Sequence, residues 1–123
     1  MAKAVATAVL DLALNDIKTN SNRQVVESAQ PTTYAEVTTY KLAEVAMASG
    51  DYTLANGDTS GRKATTGAKT GISVSTSGTA THVSLSSSGR AQLDLVTTCT
   101  SQAINTGGTV DIPAWKYEIN NPT

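Results

Sequence analysis

The oxygen donors of Asn56-Gly57-Asp58-Thr59-Ser60-Gly61 are the residues whose types and spacing come nearest to a metal site. Donors at alternate positions followed by glycine match the first half of a calcium-binding loop, in which carboxylates and carbonyls wrap a hard cation. The second half is missing. The twelfth position counted from Asn56 is Gly67, where such a loop carries a bidentate Glu, and Arg62 brings a positive charge to the same turn. Asn-Gly and Asp/Ser-Gly pairs are also what a tight hairpin requires, because glycine takes φ > 0 without steric cost. The turn reading outweighs the metal reading, and no residue is assigned as a metal ligand.

Other reactive types are scattered. His82 is the single histidine and Cys99 the single cysteine. A catalytic zinc needs three protein ligands, which one His and one Cys do not supply. Serines and aspartates abound, but no Gly-x-Ser-x-Gly turn presents a nucleophile, and Ser86-Ser87-Ser88-Gly89 reads as a hairpin tip. His82 reads as a polar strand residue, exposed or at an interface. Cys99 falls in step with Leu93 and Leu95, as a buried small hydrophobe would. Nothing gathers Asp11 and Asp16, or Glu36 and Glu44, into an acid/base pair in a cleft. Gly107-Gly108 joins two β segments and opens no helix, so it makes no phosphate loop. Trp115 beside Tyr117 could stack on a sugar, but their alternation with Ile119 favours a core aromatic. No catalytic residue and no cofactor is assigned, and the chain is read as a non-enzyme.

The elements that must position these residues are set by periodicity. Val5, Val9, Leu12 and Ala13 recur at spacings of three and four, which predicts a helix over Ala4 to Lys18 with that stripe inward. Arg23 to Ser28 reads as a short strand, and Pro31 interrupts the chain after it. Ala35 to Ala48 mixes helix and strand formers; Tyr40 to Ala48 is assigned to a strand with Ala43, Val45 and Met47 on one face. From Gly50 onward short Thr/Val/Ile runs alternate with turn clusters, the pattern of a sandwich or barrel. Ile72, Val74 and Thr76 share a face, as do Thr81, Val83 and Leu85, and Leu93, Leu95, Thr97 and Cys99. The last strand changes parity between Ile112 and Trp115, which places a bulge at Pro113-Ala114. The expectation is a mainly β, antiparallel sandwich or barrel-like single domain over 1–123: a helix over 4–18, then a β domain over 23–119.

Composition sets the class of partner. The core is thin: hydrophobic residues make up 39% of the chain, yet many are Ala, and there is no Phe and one Trp. A full-size apolar side chain contributes roughly 1.5–3 kcal/mol on burial and Ala far less, so packing against neighbours would help. Nine basic against ten acidic residues give a net charge of −1 with no basic cluster beyond Arg62-Lys63. Nucleic-acid binding is therefore not expected. Nor is a membrane partner, since no apolar run approaches the ~20 residues of a span. Asp11 and Asp16 interrupt the apolar start, so residues 1–17 do not read as a secretory signal. Synthesis in the cytoplasm is expected, and a lone cysteine fits that compartment.

Several runs resemble a family of small tailed-phage and prophage virion proteins. They are Gln30-Pro31-Thr32-Thr33-Tyr34, Gly57-Asp58-Thr59-Ser60-Gly61-Arg62-Lys63, Gly78-Thr79-Ala80-Thr81-His82-Val83 and Val96-Thr97-Thr98-Cys99-Thr100-Ser101-Gln102-Ala103. The closing Ile112-Pro113-Ala114-Trp115, with Glu118-Ile119 and Pro122, is similar too. Lys116-Tyr117 departs from the more acidic run that the family carries after the Trp. The resemblance implies a virion part present in many copies, made in the host cytoplasm. The first expectation is a capsid decoration (cement) protein, a homo-oligomer with a trimer favoured, partnered by the major capsid protein or other virion proteins. A tail, fibre-associated or head-completion protein is the alternative, and a carbohydrate-binding module comes third.

Overall fold

The computed structural model describes residues 5–121. Helix α1 (Thr7–Asn20) is followed by strand β1 (Arg23–Glu27), a short helix α2 (Tyr34–Thr39) and strand β2 (Lys41–Ala46). Seven strands come after these: β3 (Tyr52–Asn56), β4 (Arg62–Thr66), β5 (Lys69–Ser73), β6 (Gly78–Ser87), β7 (Gln92–Ile104), β8 (Thr109–Ile112) and β9 (Lys116–Ile119). These strands pair antiparallel in three sheets, ordered β2-β1-β6-β7, β3-β4-β9 and β5-β8. The mainly β, antiparallel sandwich-like architecture with an N-terminal helix is the one that the periodicity predicts.

Alternation along β1 and β6 explains how the layers stack. Gln24 and Val26 lie opposite Leu85 and Val83, so all four share the inner face of the four-stranded sheet. At one end of that face Val26, Ala43 and Val83 pack on Ile72, Val74 and Ile112 of the β5-β8 pair. At the other end Leu85 packs with Tyr52, Met47 and Ile17 of α1. Ala43, Ala64 and Ala80 are core positions, so the core is built partly of methyl groups. The interior also holds polar residues that periodicity assigns no role: Ser21, Gln24, Glu27, Thr66, Ser84, Ser86 and Ser87 are all buried.

Leu93 does not share the face of Leu95, because a register shift pairs Leu95 with Leu85 and Leu93 with Ser86, and Tyr117, which alternates with Trp115, is 39% exposed. Three larger expectations also need correcting. The helix is there, although Ala4 lies outside the described residues, but it is rotated: Leu10, Leu14 and Ile17 are buried, while Val9 and Leu12 are 56% and 72% exposed. Both stripes have helical spacing. The buried stripe holds three large aliphatic side chains, whereas the expected one mixes Val5, Val9, Leu12 and Ala13, so burial favours this rotation. Asp11 pairing with Arg62 on β4 and Asp16 with Arg90 beyond β6 flank it, one carboxylate on each side. Second, the segment assigned to one strand over Tyr40–Ala48 starts one residue later, behind a helical turn. Thr33 caps that turn by accepting from the Glu36 amide at 3.3 Å, and Glu36 accepts from the Thr32 amide and hydroxyl. Ala43 and Met47 are buried as expected and Glu44 is exposed. Third, Pro113-Ala114 is not a bulge in one strand. β8 pairs with β5 and β9 with β4, so the parity change marks a switch between sheets.

Candidate functional site

The Asn56–Gly61 segment is the tip of the β3-β4 hairpin. The Gly57 amide donates to the Gly61 carbonyl at 2.9 Å, and Gly61 sits at φ +68°, where a Cβ would lie 1.9 Å from the Ile119 carbonyl oxygen. Its oxygens are engaged by the protein's own cations. Arg62 donates to Asn56 Oδ1 at 2.9 Å, Lys63 Nζ lies 2.6 Å from Asp58 Oδ1, and Lys116 shares the same carboxylate. Glu118 Oε1 accepts from the Thr59 amide at 3.0 Å. Among the described residues no three His, Cys, Asp or Glu side chains gather as a metal site would require.

The remaining candidates are dispersed. His82 is half-buried, its Nδ1 2.8 Å from Thr81 Oγ1, and it lies between Glu27 and Thr98 in the sheet register. Asp11 and Asp16 bridge α1 to Arg62 and Arg90; Glu36 serves its own helix, and Glu44 pairs with Arg23 and Lys41. Ser88–Arg90 is the turn between β6 and β7, and Gly107 (φ +90°) lies in the β7-β8 turn. Trp115 is half-buried. Its indole N–H donates to the buried Gln24 Oε1 at 2.6 Å, and its backbone exchanges hydrogen bonds with Thr66.

What the fold does bring together is a groove. A cavity of about 920 Å³ opens between the outer edge of β7 and the segment joining β8 to β9. Thr97, Thr98, Cys99 and Thr100 line one wall, Pro113, Ala114 and Lys116 the other, over Val83, Ile112 and Trp115. A second cavity of about 220 Å³ carries the same opening along β7 to Gln102. Cys99 is half-buried in this wall rather than fully enclosed. Burial, with the charge of Glu27, pushes its thiol pKa up and so keeps it protonated. The groove therefore offers apolar surface, threonine hydroxyls and a strand edge.

Two polar arrangements escape a reading of the sequence. Asp94 accepts from Ser21 Oγ at 2.6 Å, Arg90 at 3.0 Å, Gln92 at 2.8 Å and also Ser87, tying the end of α1 to the β6-β7 hairpin. Glu27 is buried, with Oε2 accepting from Ser84 Oγ at 2.6 Å and Oε1 without a partner. Loss of solvation pushes its carboxyl pKa up to about 7 against the Ser84 bond and the charge of Arg23. The serine-rich run before Asp94 is the one signal for the first; nothing local marks the second. Among the described residues no helix is long and apolar enough to cross a membrane. Compared with protein-family models, curated proteins and solved structures, the chain matches none of them.

Proposed function

We propose that this chain is a structural component of a tailed-phage virion, a capsid decoration (cement) protein that works by contact rather than catalysis. It would bridge major capsid subunits and contact copies of itself. The virion part of the reading rests on the sequence resemblance. The observation that supports a contact role is what the fold leaves uncovered: Val9 and Leu12 on the outer face of α1 are 56% and 72% exposed. Large apolar side chains set side by side on a helix face are suited to burial against another chain, in the groove-and-helix manner of many protein contacts. The ion pairs of Asp11 and Asp16 hold that face outward. A specific contact buries roughly 1,200–2,000 Å² in total, about half of it on each partner, against the 6565 Å² surface of this chain. Shell stabilisation would then come from many such bridges.

Quantifying the chain against the major capsid protein in purified virions tests the reading. A cement protein approaches the capsid copy number within a small factor. A handful of copies per particle, or confinement to the tail, would overturn it in favour of a tail component.

A further inference from the structure

We infer that the outer edge of β7 is a self-association site, at which β7 of one copy pairs antiparallel with β7 of a second copy about a twofold axis. This goes beyond the virion reading and does not depend on it. β7 has 13 residues and is the last strand of its sheet; among the described residues it pairs with β6 on one side and with no strand on the other. No main-chain bond from Leu95–Ile104 reaches any described element other than β6. A row of unpaired amides and carbonyls is a template for strand addition, and monomeric proteins blunt such edges with Lys, Pro, a short strand or a covering element. The register of β7 on β6 shifts between Thr98 and Gln102 and α2 lies against β7, so the regular part of the edge is Leu95–Thr98. The run Leu95-Val96-Thr97-Thr98-Cys99-Thr100-Ser101-Gln102-Ala103-Ile104 holds no charge and no proline.

The groove supplies the room and the sequence supplies the occupant. A strand added to β7 would lie about 4.8 Å from it, along the opening of about 920 Å³ that Thr97–Thr100 line. A twofold axis perpendicular to the sheet keeps both inner faces on one side. The parity of β7 that points inward, Leu95, Thr97 and Cys99, packs on its own core and would then continue that inner face across the seam to the same residues of the partner copy. Because the run is uncharged, no register of this pairing sets like charges across the strands, and β-branched neighbours such as Thr97 and Thr98 favour cross-strand contact. An edge that is complementary to itself closes as a pair, in place of the trimer that the resemblance favours.

Sedimentation analysis of the purified full chain tests this. The wild type is expected at twice the 12.7 kDa chain mass, and the double substitution Thr98→Lys/Thr100→Lys at one chain mass. Both positions are exposed, so circular dichroism and melting temperature should stay unchanged. A monomeric wild type at its highest soluble concentration would overturn the inference. So would a trimer, or a dimer that survives both lysines. Should the variant fold poorly, amide exchange on the wild type decides: the alternate amides of Leu95–Thr100 that point away from β6 should lose protection on dilution, and concentration-independent exchange at those amides would refute the pairing.

Discussion

Along β2, the Leu42 carbonyl accepts from the Ser75 amide at 2.8 Å and the Thr76 amide at 3.2 Å, and Ala43 is bridged to Val74. Lys41, Glu44 and Arg23 set charges around the same edge. Along β7, at the far side of the same sheet, the corresponding groups meet an open groove and no charge between Leu95 and Ile104. One sheet thus carries a strapped edge and a bare one. An unpaired edge risks indiscriminate pairing, so protecting one and not the other is what a chain with a single intended strand partner requires.

The largest expected effect lies at the strapped edge. Leu42 is 3% exposed, packs in the cluster with Ile72, Val74 and Ile104, and has Gly78 against its side chain. Leu42→Ala should cost about 2–5 kcal/mol, the lost transfer energy plus a cavity. Thr98→Ala, at the exposed edge, should stay within about 0.5 kcal/mol under conditions where the chain is monomeric. Urea denaturation of both variants checks the contrast; equal losses would mean that β7 is as well packed as β2.

Between the edges lies Glu27, paired in register with Lys41 on one side and His82 on the other. Its folded-state pKa is about 7 against an ordinary value of 4.5. The folded state therefore holds the proton more tightly than the unfolded chain. Its contribution to stability is full below pH 4.5 and is lost as pH rises through 7, a change on the order of 3 kcal/mol. Glu27→Gln keeps the shape and removes the titration. The difference in unfolding free energy between wild type and variant should move in that window and be flat above it. A difference that is constant from pH 4 to pH 8 would show that Glu27 is solvated in the folded chain.

The contrast between the edges is only half legible in the sequence. Period-two runs locate β6 and β7, and the hairpin glycines place the β3-β4 turn, because both are local consequences of backbone geometry. The rotation of α1 is not legible from spacing: its two apolar stripes are equivalent in period, and what separates them is the bulk of Leu10, Leu14 and Ile17 together with long-range pairing of Asp11 with Arg62 and Asp16 with Arg90. Which strand stands at an edge is likewise a fact of pairing order. The groove joins residues near 65, 83, 99 and 115, which no sequence window spans. Buried serines and Glu27 look like surface residues, since composition carries no sign of where a hydroxyl finds its acceptor.

A smaller effect than those at Leu42 and Glu27 separates two ways in which β2 could be protected. Its charges pair at the surface: Arg23 Nε lies 2.9 Å from Glu44 Oε2 and Lys41 Nζ 3.2 Å from Glu44 Oε1, with the Glu44 side chain 31% exposed. A fully exposed pair contributes at most about 1 kcal/mol, but Arg23 is 13% exposed and holds Glu44 through two 2.9 Å bonds, so this pair contributes more. Arg23 would keep a second anchor, since its Nη1 donates to Tyr34 Oη at 3.0 Å and its guanidinium lies 5.4 Å from that ring's centroid. Lys41→Ser/Glu44→Ser should therefore lower stability by about 1–2 kcal/mol. It should leave the association state untouched, because the Val74–Thr76 strap still occupies the Leu42 carbonyl. Growth of species larger than the wild-type assembly in sedimentation would show that charge, not the strap, protects this edge. An unchanged profile beside the Thr98→Lys/Thr100→Lys result would mean that main-chain coverage decides which edge of the sheet meets another chain.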